Sequence, residues 1–476
     1  MLSLETARLQ AVLRRDLMSF ATKTFDHVAP AQHFSRSWHQ DAIAWHLEQA
    51  RLGHIRRLII TLPPRHAKSI MASIAFPAFV LGHDPTARVV CVSYSADLSA
   101  KLARDCRSVM SSQWYRTAFP GAVLSRERNA ELDFMTTRRG YRLSTSVGGS
   151  LTGRGGNVVI VDDPMKPDEA MSDTRRASAC EWFDNTVYSR LDDKQTDVII
   201  IIMQRLHLED LVGHVLATGE PWVHLSLPAI AEFDQAISIG QGRTYYRPVG
   251  ELLHPEREPL HILEEMKRSI GSFHFAAQYQ QSPVPIEGEL MRWEWFQRYE
   301  TAPARVHHNQ VVQSWDTASK AGELNDYSVC TTWLIQNQTF YLLDVFRDRL
   351  LYPSLRRAVI DQARRYRPAA VLIEDKASGM ALAQDFRPGD LGGAGMPIPI
   401  EPEADKITRA AAQSIAIESG QVFIPAKADW LEDLRTELVQ FPYGKFDDQI
   451  DSMSQFLRWA RQPRFEGIRL AKISGI

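Results

Sequence analysis

The chain has 476 residues, with 55 Lys and Arg against 57 Asp and Glu, a formal net charge of -2, 44% hydrophobic and 24% charged residues. That balance excludes a histone-like polycation, but it leaves room for nucleic-acid binding through a local basic face. The length exceeds what one hydrophobic core usually organises, so two or three domains are expected.

Cys91, Cys106, Cys180 and Cys330 are scattered without a C-x-x-C pair, as suits reduced thiols in a cytosolic compartment. The start, MLSLETARLQAVLRRD, lacks the apolar run of a signal peptide, and no stretch approaches about eighteen apolar residues. The expectation is a soluble, intracellular protein with no membrane partner. The histidines show neither H-E-x-x-H nor zinc-type spacing and are read as structural.

The first informative stretch is RRLIITLPPRHAKS. Leu58, Ile59, Ile60 and Leu62 read as a buried parallel strand, Pro63 and Pro64 stop it, and a helix is predicted from Ser69. Strand, loop, helix is the context of a phosphate loop, G-x-x-x-x-G-K-[ST], whose last two positions fall on Lys68 and Ser69. In that role Lys68 reaches the phosphates, Ser69 holds magnesium and Arg65 adds charge. Leu62 and Ala67 stand where the glycines belong, and a non-glycine residue at positive φ costs about 1 kcal/mol. The competing reading is a solvated Lys-Ser loop.

RVVCVSYSADLSAKLARDCRSVM reads as a further strand and helix. In GGSLTGRGGNVVIVDDP, Val158 to Val161 form a strand run that ends on Asp162 and Asp163. Open α/β sheets place ligands at such carboxyl ends. In an ATPase the first acid holds magnesium through water and the second polarises the attacking water; otherwise Asp-Asp-Pro is a turn. DVIIIIMQRLHLEDL puts Gln204 and Arg205 just after a strand, either to sense a γ-phosphate or simply to meet solvent. The alternation predicts a doubly wound, mostly parallel sheet.

From Pro283 the pattern changes, and SPVPIEGELMRWEWFQRYETAPAR reads as a linker. VVQSWDTA then places Asp316 near a strand end, VCTTWLI and TFYLLDVF alternate as a meander, and AAVLIEDKASG ends a buried strand on Glu374 and Asp375. FPYGKFDDQIDSMSQFLRWA opens a helix with Asp447, Asp448 and Asp451. Three antiparallel strands, helix, strand, helix is the order of an RNase H-like fold. Magnesium or manganese takes oxygen ligands, and two such ions clamp the oxygens of a phosphodiester, so Asp316, Glu374 and Asp448 are the expected metal set. Asp375 and Asp451 read as helix caps or surface charges. Arg356, Arg357, Arg364, Arg365 and Arg367 on one helix, with Arg138, Arg139, Arg142, Lys406 and Arg409 elsewhere, are either solvated faces or phosphate contacts.

The ordered set WHQDAIAWHLEQARLGHIRRLIITLPPRHAKS, SYSADLSAKLARDCRSVM, LTGRGGNVVIVDDP, IIMQRLH, FHFAAQYQQSPVPIEG, SWDTA, LIEDKASG and FDDQID resembles the large terminase subunit of tailed phages and prophages, along nearly the whole chain. That family uses a variant phosphate loop with a Pro-Pro-Arg lead-in, which leaves Ala67 as the departure. The resemblance implies a P-loop ATPase over residues 1–285, a linker over 286–305 and an RNase H-like nuclease over 306–476. It assigns Arg65, His66, Ala67, Lys68 and Ser69 to nucleotide, Ser69 and Asp162 to magnesium, and Asp163 to the place where many relatives have a catalytic Glu. Gln204 and Arg205 match its coupling motif, Arg154 is the candidate arginine finger, and Gln40 the candidate adenine contact. Asp316, Glu374 and Asp448 match its nuclease acids, with Asp447 a candidate fourth.

The implied cofactors are ATP and Mg2+, with Mn2+ an option in the nuclease. The implied partners are double-stranded DNA, a portal protein, a small terminase subunit and further copies in a pentameric ring. The implied location is the host cytoplasm, transiently at the portal vertex of the procapsid. Two rivals remain at this point: a helicase-nuclease of repair or defence, and a non-catalytic prophage relic that binds DNA or capsid partners.

Overall fold

The computed structural model describes residues 4–149, 151, 153–285, 290–305, 309–317, 327–375, 377–402 and 405–462. It divides into two compact units, Met1–Pro285 and Ile286–Ile476. The four cysteines are free and buried.

The first unit is built on β1 (Arg57–Thr61), β2 (Arg88–Ser93), β3 (Leu124–Asn129), β4 (Asp133–Thr136), β5 (Tyr141–Ser146), β6 (Val158–Asp162), β7 (Val198–Met203) and β8 (Val223–Ser226). Their order is β3-β4-β5-β2-β6-β7-β1-β8. From β5 to β8 every neighbouring pair is parallel, while β3 and β4 add an antiparallel edge. Because side chains alternate along a strand, each strand feeds two cores. Leu58, Ile60, Val158 and Ile160 join Phe20, Leu47 and Phe79 on one face. Ile59, Val159 and Val161 join Phe183, Leu211 and Val215 on the other. This is the doubly wound architecture expected from the unbroken apolar runs.

A hairpin of β9 (Gln235–Gly240) and β10 (Arg243–Arg247) follows. It is anchored to the helix Trp38–Arg51 by Trp38, whose ring stacks on Tyr245 at 4.4 Å between centroids. Near the end of the unit the helical run Leu260–Gln278 is broken at Gly271, whose φ of 79° suits glycine.

The second unit contains β11 (Gln297–Tyr299), β12 (Gln310–Asp316), β13 (Ser328–Gln336), β14 (Thr339–Asp348), β15 (Ala370–Glu374), β16 (Ile398–Ile400) and β17 (Val422–Pro425), in the order β11-β17-β14-β13-β12-β15-β16. β12, β13 and β14 form an antiparallel meander, and β15 and β16 extend the β12 edge in parallel. That central order is the RNase H-like arrangement. The stretch read as a linker departs from expectation. Gln297–Tyr299 pairs in parallel with β17 and extends the sheet of the second unit, a role its short, polar, proline-flanked run conceals.

Among the described residues no helix is long and apolar enough to cross a membrane.

Candidate active sites

In the first unit the strand order puts the ends of β6, β7 and β1 side by side, so three separate sequence stretches meet. After β1 the chain turns through Arg65 at φ 66° and Ala67 at φ 60°, the left-handed conformation that glycines would supply at low cost. Lys68 and Ser69 open the next helix, which runs as a π-helical segment over Ile70–Ala75 before the α-helix Phe76–His83. Such wide turns concentrate at functional sites.

The π-helical segment presents two hydroxyls to one carboxylate. Ser69 Oγ donates to Asp162 Oδ1 at 3.1 Å and Ser73 Oγ donates to Asp162 Oδ2 at 2.6 Å. Asp162 is fully buried, and burial together with the adjacent Asp163 pushes its carboxyl up to about 6, against the pull of Ser73, Lys68 and Ser69. Asp163, at φ 44°, turns its carboxylate the other way. Its Oδ1 accepts from Lys68 Nζ at 2.7 Å and from the backbone N–H of Gln204 at 3.3 Å. One acid therefore ties the loop lysine to the end of β7. Ser73 had no motif to mark it; only its place four residues after Ser69 hints at a shared face.

A cleft of about 470 Å³ opens beside the loop, lined by Phe25, Phe34, Gln40, Arg65, Ala67 and Ile70 among others. Its volume is within the range of small-molecule sites. Gln40 lines it but is committed to capping: its Oε1 accepts from Ser37 N–H at 2.5 Å and its Nε2 donates to the Ser35 carbonyl at 3.2 Å. His66 also lines the cleft, yet its ring packs at 5.4 Å from that of His39, so it contributes a wall rather than a phosphate contact.

Two further assignments are corrected in detail. Arg205 is buried, and its Nε donates to both Asp210 oxygens at 3.0 and 2.9 Å, while Asp210 also caps the helix Leu211–Ala217 through Gly213 N–H at 2.9 Å. The guanidinium is engaged in this internal clasp instead of reaching to a phosphate; the sequence does not show that Asp210 lies in wait five residues on. Gln204 stays near the site, with its Oε1 buried and unpartnered among the described residues. Arg154 is held within its own chain, donating to Asp133 at 3.1 and 3.2 Å and lying 4.7 Å from the Tyr141 ring centre.

In the second unit, Trp315 on β12 is in register with Ile373 on the parallel β15, so the next residues, Asp316 and Glu374, stand together at adjacent strand ends. The helix Asp448–Arg461 lies across them and brings Asp448 and Asp451. Burial, then the charges of Asp451, Glu374 and Asp448, push the Asp316 carboxyl well above the usual carboxylate range. Burial and Asp447 push Asp448 up to about 6. Arg409 and Lys406 offset part of this charge: Arg409 is 2.7 Å from Asp451 and 3.7 Å from Glu374, and Lys406 is 3.4 Å from Asp451. No three of these acids bring one oxygen each within 4.8 Å of one another among the described residues. A metal would draw in an oxygen-rich set whose repulsion is at present met by two basic side chains, and the donor chemistry suits Mg2+ or Mn2+.

Asp451, read as a cap or surface charge, is 7% exposed and is the strongest charge acting on Asp316. Asp447 does the reverse: it precedes the helix and pairs with Lys406 at 2.6 Å, outside the group that acts on Asp316. Two buried polar links that no motif marks hold the helix in place. Glu437 accepts from the N–H groups of Gln449 and Ile450 at 2.7 and 3.2 Å, and Ser452 Oγ donates to the Ser314 carbonyl at 2.8 Å. Of the basic residues considered for phosphate contact, Arg142 is fully buried and donates to the Ser73 carbonyl at 2.9 Å, and Lys406 and Arg409 serve the acid cluster.

Residues 313–458 match the family model described as the terminase RNaseH-like domain. The large terminase of a thermophilic bacteriophage is similar in structure, with a TM-score of 0.51 at 10% identity, covering 90% of this chain and 99% of that one. The large terminase of bacteriophage HK97 covers 93% of this chain and 99% of its own at 11% identity, with a TM-score of 0.36. No curated protein matches the chain in sequence. The second unit thus carries a terminase RNaseH-like domain, and the chain as a whole is similar in fold to the large terminase of a thermophilic bacteriophage.

Proposed function

We propose that the chain is a viral DNA-packaging motor: the first unit hydrolyses ATP to translocate double-stranded DNA into a procapsid, and the second cuts concatemeric DNA by two-metal chemistry. The observation that carries the reading is the meeting of Lys68, Ser69, Asp162 and Asp163 at neighbouring ends of one parallel sheet. In this reading Lys68 and the loop hold phosphates, and Ser69 and Asp162 hold Mg2+, which would neutralise charge developing on the transferred phosphoryl group. Asp163 supplies the acid that orients or deprotonates the attacking water once phosphates have drawn Lys68 away. In the nuclease, Asp316, Glu374, Asp448 and Asp451 are the ligand set for Mg2+ or Mn2+. The proposed partners are a portal protein, a small terminase subunit and further copies in a pentameric ring, in the host cytoplasm and transiently at the portal vertex. Arg154 serves as a finger to a neighbouring copy only if assembly breaks its pair with Asp133.

The test is ATP hydrolysis by the full-length protein with Mg2+ and duplex DNA, beside plasmid cutting in Mn2+. Lys68→Ala should lower turnover at least about 100-fold, as loss of a preorganised charge contact does, and leave cutting in place. Turnover unchanged in that variant would remove the phosphate-loop assignment. Unwinding of a forked duplex would favour a helicase-nuclease over a motor on intact duplex.

A further inference from the structure

We propose that His39, His66 and His254 form a binding site for a divalent transition-metal ion of the zinc class, at the wall between the phosphate loop and the helix Trp38–Arg51. The three residues are far apart in sequence and come from the first turn of that helix, the loop after β1 and the segment after the β9–β10 hairpin. All three are buried, and one ligand atom from each lies within 4.8 Å of the others. The ring centres are 5.4, 5.3 and 6.2 Å apart.

The hydrogen bonds fix which nitrogens are bare. His66 Nδ1 is 3.0 Å from the Pro64 carbonyl, which can only accept, so Nδ1 carries the hydrogen and Nε2 keeps its lone pair. Ser35 Oγ donates to Glu256 at 3.2 Å, so it accepts from His254 Nε2–H at 3.0 Å and leaves the His254 Nδ1 lone pair bare. The Leu253 carbonyl lies toward the His39 ring, although neither His39 nitrogen makes a full hydrogen bond. His66 Nε2 and His254 Nδ1 are likewise buried without a hydrogen-bond partner among the described residues. Buried polar nitrogens are normally satisfied, and one shared ion would satisfy all three.

The pattern is that of metal-binding histidine, in which the far nitrogen donates to a carbonyl or to a carboxylate-linked group and the near one binds the ion. Three imidazoles with one open position suit zinc, and Glu258, whose Oε2 is 3.7 Å from His66 Nε2, lies beside the cluster without joining it. Burial keeps all three rings neutral at pH 7, as ligation requires: it pushes His66 down to about 4 and lowers His39 and His254. Arg247 and Arg257 add positive charge nearby, which Glu256 and Glu258 offset. The ion would tie the His66 turn, between the strained Arg65 and Ala67, to the rest of the unit.

Metal uptake can be measured without ATP or DNA, so the result stands apart from the motor reading. Full-length untagged protein, stripped with chelator, is titrated with Co2+ and then Zn2+. Wild type should bind one Co2+ with the intense visible absorption of four-coordinate cobalt, and Zn2+ should displace it. Asp316→Asn should keep this signal, because an all-oxygen site gives only weak absorption. His39→Gln and His254→Gln should lose it. Ser35→Ala keeps every ligand and should bind about 10- to 100-fold more weakly. No intense absorption in wild type would overturn the proposal, as would an unchanged signal in both histidine variants or unchanged affinity in Ser35→Ala.

Discussion

Lys68 Nζ lies 2.7 Å from Asp163 Oδ1, and the two side chains differ in access to water, at 7% and 21% exposure. The asymmetry makes the partners unequal in what their removal does. Without Asp163 the buried ammonium loses its direct partner and keeps only the attraction of Asp162, whose oxygens are already engaged by Ser69 and Ser73; without Lys68 the carboxylate can still be hydrated. Asp163→Asn tests this cleanly, because Asn tolerates the positive φ at this position. It is expected to destabilise the first unit by about 3 kcal/mol and Lys68→Ala by about 1 kcal/mol. Urea unfolding checks the order, and equal losses would mean that the pair does not compensate charge.

Asp451 and Asp447 separate the acid cluster from its surroundings. Asp451→Asn should reduce Mn2+-dependent plasmid cutting at least about 100-fold, as should Asp316→Asn, because each supplies charge where a metal would sit. Asp447→Asn should stay within about threefold, since the side chain faces Lys406. Wild-type cutting by Asp451→Asn would return that residue to a structural role.

Parts of the two sites, one in each unit, were legible because apolar runs mark buried strands, and the residue after such a run stands at a strand end. Asp162, Asp316 and Glu374 are all of that kind. The residues that escaped lie on helices of mixed polarity. In FDDQIDSMSQF the spacing of Asp448 and Asp451 permits one face, but nothing local says that Asp451 faces the sheet while Asp447 faces Lys406. Pairings across long separations are less visible still. Arg142 reaches a carbonyl on the π-helical segment, Ser452 reaches β12, and the histidine cluster joins positions 39, 66 and 254 without any spacing a motif could capture. The π-helical segment itself leaves no composition signal, since Ile70–Ala75 reads as ordinary apolar helix.

The buried acids set a pH dependence whose sign follows from the direction of their shifts. Asp162 and Asp448 are raised from 3.8 to about 6, Glu437 from 4.5 to about 7, and Asp316 well above 3.8. A raised acid holds its proton in the folded chain where the unfolded chain has lost it. Its stabilising contribution is complete below the unfolded value and disappears as pH rises through the folded one. Asp316→Asn removes one such group. Thermal melts should therefore show the variant gaining on wild type as pH rises from about 4 through 6 and above, with Mg2+ narrowing the gap at pH 8 by screening the wild-type cluster. A constant difference across that window would show that Asp316 does not titrate abnormally.

Ala67 bears on whether the loop after β1 is strained. At φ 60° an L-residue sits in a region that costs roughly 1–2 kcal/mol, whereas glycine enters it freely but loses more backbone entropy on folding, about 0.5–1 kcal/mol. The balance favours glycine slightly, so Ala67→Gly should stabilise the first unit by about 0.5–1 kcal/mol. Ala67→Val should destabilise it by more than about 1 kcal/mol, because a β-branched residue at positive φ is a genuine outlier. Urea midpoints on both variants read the order. Parallel ATP titrations should show no loss of affinity for Ala67→Gly, since the backbone path of the loop is kept. A less stable Ala67→Gly would mean that the alanine methyl packs usefully against the cleft and that the loop holds its shape without strain.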